Sequence, residues 1–277
     1  MKHSSSLVSR VIMYAVLAFT VLISAYPILW VILSSFKTNS QILSGPFTLP
    51  TSFNLDGFIK AWNVAHFTTI YTNSFIVSIS ATAVSLVIYS MAAYVIAKYK
   101  FKGRNILYGL FVLTLLVPSM ARAQPILKMI FALGLYDTKT ALVLVYTTMG
   151  MATCLFILRG TFMSIPTEFS EAAWIEGAGF LRTFFRINLP IAKSGIATAG
   201  TLLFLGNWNE YYYAMLLTTK VTSRTVPFAI TYFTGQFNFN YPGMFAALVL
   251  AMLPALVIYA IFQEQVAQSL VASGVKG

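Results

Sequence analysis

Long stretches without charge constrain this chain more than any other feature. Val11–Phe36, Ile70–Ala97, Asn105–Ala121, Thr140–Leu158, Ser194–Asn209 and Gly243–Gln263 each run without an Asp, Glu, Lys or Arg. Backbone in hydrocarbon must satisfy its own polar groups, so a membrane-spanning chain is either helical or a closed barrel. A spanning helix needs about 20 mostly apolar residues. A barrel needs alternating segments of about 10 residues, and no such alternation is present. Only 9% of the 277 residues are charged, against about 25% in a soluble domain. The expectation is an all-α polytopic membrane protein with six transmembrane helices, roughly 11–36, 70–97, 105–121, 140–158, 194–219 and 243–263. The whole chain, 1–277, reads as one transmembrane domain.

The first run is longer than the apolar core of a signal peptide and ends in no small-residue cleavage site, so it reads as a retained helix. Charge sets the orientation. KYKFKGR, residues 98–104, holds four basic residues in one short connection, and short cytoplasmic loops collect Lys and Arg. Alternation then puts both termini in the cytoplasm, together with the connection 159–193 and its Arg159, Arg182, Arg186 and Lys193. The net charge of +11 reflects this bias and not a nucleic-acid partner. The single cysteine, Cys154, lies in the fourth run and forms no disulfide framework. Pro118 and Pro125 bracket a break at the outer end of the third run.

The connection 159–193 is more polar than its surroundings. Ser164 is expected to cap a short helix with Pro166 in its first turn and Glu168 at its positive end. Gly177 stops that helix, because glycine accepts the left-handed conformation cheaply. GFLRTFFRI then forms a second amphipathic piece, with Phe180, Phe184 and Ile187 opposite Arg182 and Arg186. One reading is a cover for the end of the bundle. The other is a docking knob in which Ala172 and Ala173 let a partner approach closely while Glu171 and Glu176 offer charge.

The same segment carries a resemblance. Glu171-Ala172-Ala173, three residues, Gly177, nine residues, then Ile187 and Leu189-Pro190 resembles the cytoplasmic signature of permease subunits of ABC importers. PSMARAQPILKMIFALGLYDTKTAL, NWNEYYYAMLL and the ending VASGVKG resemble the carbohydrate branch, on the side of the smaller maltose-type permease. The resemblance implies a type I importer permease fold in the plasma membrane of a prokaryote. It implies that Glu171, Ala172, Ala173 and Gly177 form the coupling helix, seated on a cytosolic ATPase. The implied partners are a second, larger permease, two ATPase copies and an extracellular sugar-binding protein, with a di- or oligosaccharide as cargo. It also implies that SGVKG reaches the ATPases.

No G-x-x-x-x-G-K-[ST] phosphate loop occurs, so ATP is expected on the partner ATPases and no cofactor on this chain. There is no serine elbow and no metal-ligand cluster, so no catalytic residue and no metal are expected. Glu210 is the acidic residue inside a spanning run, beside Asn207, Trp208, Asn209 and Tyr211. It reads either as an interhelical packing group or as part of a polar and aromatic lining for a sugar. TYFTGQFNFNYPG, residues 231–243, supplies Gln236, Asn238, Asn240 and Tyr241, which read as a binding-protein contact or as an ordinary turn with interfacial anchors. The rival functions are a secondary transporter or channel without an ATPase, and a membrane scaffold.

Overall fold

The computed structural model describes residues 7–234 and 239–274. They form two compact units, one from the stretches up to 67 and 229–252, the other from 68–228 and 253 onward. The last residues of the SGVKG tail, 275–277, lie outside the described part.

The first unit opens with α1, Leu7–Ser34. Its 28 residues span about 42 Å at 1.5 Å each, enough to cross a bilayer. None of its most apolar window is buried within the chain, so its surface is left for lipid or another subunit. Phe36 then packs against Phe53 and Phe58, with ring centroids 5.4 and 5.3 Å away. The short α2, Asn39–Ser44, is held at its start by a capping box between Thr38 and Gln41. Lys37 is only 2% exposed and donates to the carbonyls of Gly45 and Pro46 just past α2. After α3, Asp56–Val64, this unit is completed by the first part of α14, Tyr241–Gly274. There Trp30 meets Phe245 edge-on at 5.1 Å.

The second unit is built on α4, Phe67–Lys98. Next come α5, Arg104–Leu113, α6, Ala123–Ala132, α7, Lys139–Met149, and α8, Met151–Ser164. The connection 159–193 forms α9, Glu168–Ile175, α10, Phe180–Thr183, and α11, Leu189–Ile191. A π-turn at Phe184–Asn188 joins the last two. α12, Lys193–Trp208, and α13, Tyr212–Leu217, complete it.

Three of the expected continuous runs are bent. The 105–121 run leaves the helix after Leu116, because Val117 precedes Pro118 and must extend; the axis turns by 101°. The 140–158 run continues to Ser164 but bends by 48° at Gly150. That bend frees the Thr147 carbonyl, and Ser85 Oγ and Tyr89 Oη of α4 donate to it at 3.2 and 2.9 Å. The 194–219 run breaks at Asn209–Tyr211 between α12 and α13. α10 to α11 lies at 80° to α12, so it is a separate arm and not the start of the span. Without a hydrophobic drive between helices in lipid, close packing needs small residues. α8 and α12 meet in this way: a Cβ on Gly195 would collide with the Thr161 side chain, and one on Gly150 with Leu203.

Candidate functional site

α9 begins later than its sequence indicates. Ser164 stays in α8, where its hydroxyl donates to Thr161 O at 2.8 Å. Pro166 forces Ile165 into an extended conformation, ending α8 there, and Thr167 takes the position before α9. The far end is as expected from Gly177. Its φ is +78°, Ala178 N donates to Ala173 O at 2.8 Å and Gly177 N to Trp174 O at 3.0 Å. This is the Schellman pair that reverses a chain after a helix. The reversal makes α9 and α10 a rigid hairpin.

The two alanines of this hairpin have opposite roles. Glu171 and Ala172 are exposed, while Ala173 is 4% exposed and faces inward with Ser170. The exposed tip therefore does not carry two small residues. It carries Ala172 flanked by large apolar groups: Phe169 is 50% exposed, Trp174 47% and Ile175 88%. An apolar knob with carboxylates at its sides, at the end of a buried-stem hairpin, suits a grooved partner.

Beneath α9, Tyr94 is enclosed by Phe162, Phe180 and Phe184, with ring centroids 5.5, 5.7 and 5.1 Å away. Tyr99 bridges to Trp174 at 6.3 Å. Lys98 Nζ at the foot of α4 donates to Ile165 O. The hairpin thus rests on the end of a membrane-spanning helix through aromatic contacts.

The polar patch around Glu210 makes hydrogen bonds between helices, as the packing reading of its sequence expects. Glu210 accepts from Tyr213 N at 2.8 Å and Ala214 N at 3.1 Å, capping α13 where the span breaks. Its Oε2 also accepts from the Tyr146 hydroxyl of α7 at 2.7 Å. Asn207 is nearly buried and donates to Thr82 Oγ1 of α4 at 3.1 Å. Trp208 is 1% exposed, packed on Phe75, Phe204 and Tyr71. Asn209 and Tyr211 are exposed, Asn209 donating to its own helix at Leu205 O. Tyr146 and Thr82 were not picked out from sequence, since a tyrosine and a threonine within apolar runs carry no periodic signal.

Residues 88–271 match the model of the family described as "binding-protein-dependent transport system inner membrane component". The chain belongs to this family. Among similar proteins, the diacetylchitobiose uptake system permease protein of Streptomyces coelicolor is 33% identical, over 93% of this chain and 86% of its own. The sulfoquinovosyl glycerol transport system permease protein of Agrobacterium fabrum is 31% identical, over 91% and 89%. The trehalose transport system permease protein of Mycobacterium tuberculosis is 30% identical, over 91% and 92%. A chain of a bacterial ABC transporter involved in alginate import superposes with a TM-score of 0.82 at 20% identity, covering 95% of this chain and 98% of that one. The fold is that of an ABC importer's membrane subunit. The protein is a membrane-embedded ABC importer permease and not an enzyme.

On the expected outer side, the permease ties its loops with Asp137, which is held at φ +59°. Its carboxylate accepts from Thr219 N and Thr219 Oγ1, both at 2.8 Å, from Lys220 N at 3.1 Å and from Ser223 Oγ. Lys220 Nζ stands 3.7 Å away. Burial pushes this carboxyl up, but the hydrogen bonds from Ser223, Thr219 and Lys220 outweigh it and hold it well below the usual carboxylate range. Asn73 fastens the same loop, donating to Val221 O and Arg224 O at 3.0 and 2.9 Å. In the other unit, Asn240 Oδ1 accepts from Gly243 N at 3.1 Å, which commits it to capping α14. Tyr241 stacks on Phe239 at 5.7 Å. Gln236 and Asn238 lie outside the described residues.

Proposed function

We propose that this permease forms half of the translocation pathway for a di- or oligosaccharide and couples that pathway to cytosolic ATPases through α9. In this reading it pairs with a second, larger permease. Two copies of an ATPase bind the ATP, and an extracellular sugar-binding protein delivers the cargo. Both termini face the cytoplasm of a prokaryotic cell. The names of the relatives support the cargo class: diacetylchitobiose, trehalose and sulfoquinovosyl glycerol all contain a sugar. For the pathway, Trp208 is enclosed within the chain, so Asn209 and Tyr211 are the patch residues left to face a sugar. For the binding protein, with Asn240 committed to capping, the stacked rings of Phe239 and Tyr241 are the groups offered.

The observation that carries the coupling reading is the exposed tip of α9, with Ile175 at 88% exposure on a hairpin fixed by the Gly177 reversal. Together with Phe169 and Trp174, Ile175 makes an exposed apolar cluster, the kind of surface that marks an interaction site. Cys154 is fully buried, so a cysteine placed at Ala172 is the thiol open to reagents. Ala172→Cys is expected to crosslink to the ATPase in the assembled importer, and its labelling by a soluble maleimide to change with nucleotide. Equal labelling with and without the ATPases, with no crosslink at any spacer length, would refute the reading.

A further inference from the structure

Asn188 lies between Ile187 and Leu189 at the end of the π-turn, and it is fully enclosed. Its Nδ2 stands 3.1 Å from Ser170 Oγ on α9, 3.3 Å from Tyr94 Oη on α4 and 3.3 Å from Thr183 O on α10. An amide nitrogen carries two hydrogens, so three acceptors share two protons. Its Oδ1 is buried without a hydrogen-bond partner. A side chain that served only to fill space would be apolar at so enclosed a position, where nothing compensates an unsatisfied oxygen. The π-turn is itself a widened turn that costs helix regularity and recurs where function needs a residue re-aimed.

We propose that Asn188 is a positioning residue that joins the coupling helix to the pathway: its amide ties α9, through Ser170, to α4, through Tyr94, and exchanges acceptors as α9 tilts. The surplus acceptor is the reason. When α9 moves and the Ser170 bond lengthens, both protons still find partners in Tyr94 and Thr183, so the joint yields without leaving a buried donor unpaired. Until the Ser170 bond lengthens, the joint pulls α4 along with α9. The proximity of Tyr94 to the foot of α4, four residues before Lys98, puts this link where the span meets the cytoplasmic hairpin. The proposal rests on the coupling role of α9 above.

The test is hydrogen exchange on the assembled importer, with and without trapping by ATP and vanadate. In the unmutated complex, trapping is expected to change exchange both in α9 and in the stretch of α4 around Tyr94. Ser170→Ala removes one of three acceptors and leaves two for the two protons, so it keeps the fold. It is expected to keep the α9 response while the α4 response falls about fivefold, the population weight of one net hydrogen bond. Ser170→Thr restores the hydroxyl and should restore the α4 response. Asn188→Leu, of similar volume, should lose the α4 response entirely; if that complex does not assemble, Ser170→Ala decides. An α4 response unchanged in Ser170→Ala, or altered equally with and without nucleotide, overturns the joint and leaves Asn188 a packing group. Absence of any α9 response in the unmutated complex overturns the coupling role itself and the joint with it.

Discussion

Glu210 offers the sharpest separation between a packing group and a pathway group. Its carboxylate holds Tyr213 N and Ala214 N at the start of α13 and the enclosed Tyr146 hydroxyl of α7. Glu210→Ala removes a helix cap, about 1 kcal/mol, and strips a buried hydroxyl of its good acceptor, about 1–3 kcal/mol. Tyr146 keeps a 3.4 Å approach to Glu210 O and the neighbouring Thr225 hydroxyl. The sum is about 2–4 kcal/mol. Tyr146→Phe loses one bond and leaves Glu210 its two backbone donors, about 1 kcal/mol. Interhelical hydrogen bonds in membrane proteins average about 0.6 kcal/mol and reach about 1.7. A charged acceptor belongs at the upper end, so the double-mutant coupling should be about 1.5 kcal/mol. For a chain of this size that is about 2.5 °C in the melting temperature of the detergent-solubilised protein. Glu210→Gln keeps an oxygen acceptor and should retain sugar uptake in cells. Additive single mutants would refute the packing assignment. So would a Glu210→Gln variant that melts like the parent yet takes up no sugar.

Three further outcomes follow from local geometry. Gly177 sits at φ +78° with open space around a would-be Cβ, so its constraint is conformational: Gly177→Asn should keep the nucleotide-dependent labelling of Ala172→Cys, and Gly177→Val should abolish it. Gly195→Val drives a side chain into Thr161 and should cost about 1–3 kcal/mol, read as a lower melting temperature; an unchanged melt would mean that α8 and α12 are not in close contact. Asp137 has a depressed folded-state pKa, so its contribution is present above the ordinary carboxylate pKa and is lost as pH falls below it. The parent should lose thermal stability between about pH 5 and pH 2 more steeply than Asp137→Asn, and parallel curves would contradict the Asp137 clamp.

How much of this could be read from the letters depends on the length over which each signal acts. The spans were legible because charge avoidance runs over twenty residues at a time. The break at Pro118 was legible because proline constrains its neighbour directly. The bend at Gly150 was not, since a glycine within an apolar run is equally at home in a straight helix, and what decides it is Leu203 occupying the space of a Cβ. The start of α9 was misplaced by three residues for a similar reason. Ser164 has the chemistry of a cap, but its hydroxyl turned back to Thr161, and the helix restarted only beyond Pro166. Gly177 was legible, since a positive φ is a single-residue property. The inward turn of Ala173 was not, because two adjacent alanines look alike in sequence and only the tertiary packing of α9 decides which one is covered.

Most polar contacts that cross between helices share a chemical type, although Lys139 of α7 donates to Asn73 Oδ1 of α4 at 3.3 Å. Thr82 with Asn207, Tyr89 and Ser85 with Thr147, and Asn188 with Tyr94 and Ser170 are neutral pairs. The ion pair of Asp137 with Lys220 sits at the loops instead. A subunit that works by rigid-body rocking must keep its internal contacts while the medium around its helices changes between lipid, partner and water. A buried ion pair suits that poorly, because its worth swings with local dielectric, and a partner lost by a small shift leaves a bare charge. A neutral hydrogen bond is weaker in a dry interior but changes less when water arrives. Glu210 is the informative exception: its charge is met by two backbone N–H groups and one hydroxyl, dipoles that travel with α13 and α7 and need no counter-ion. Charge is therefore tolerated in a span where the span itself is broken and a helix start is available to receive it.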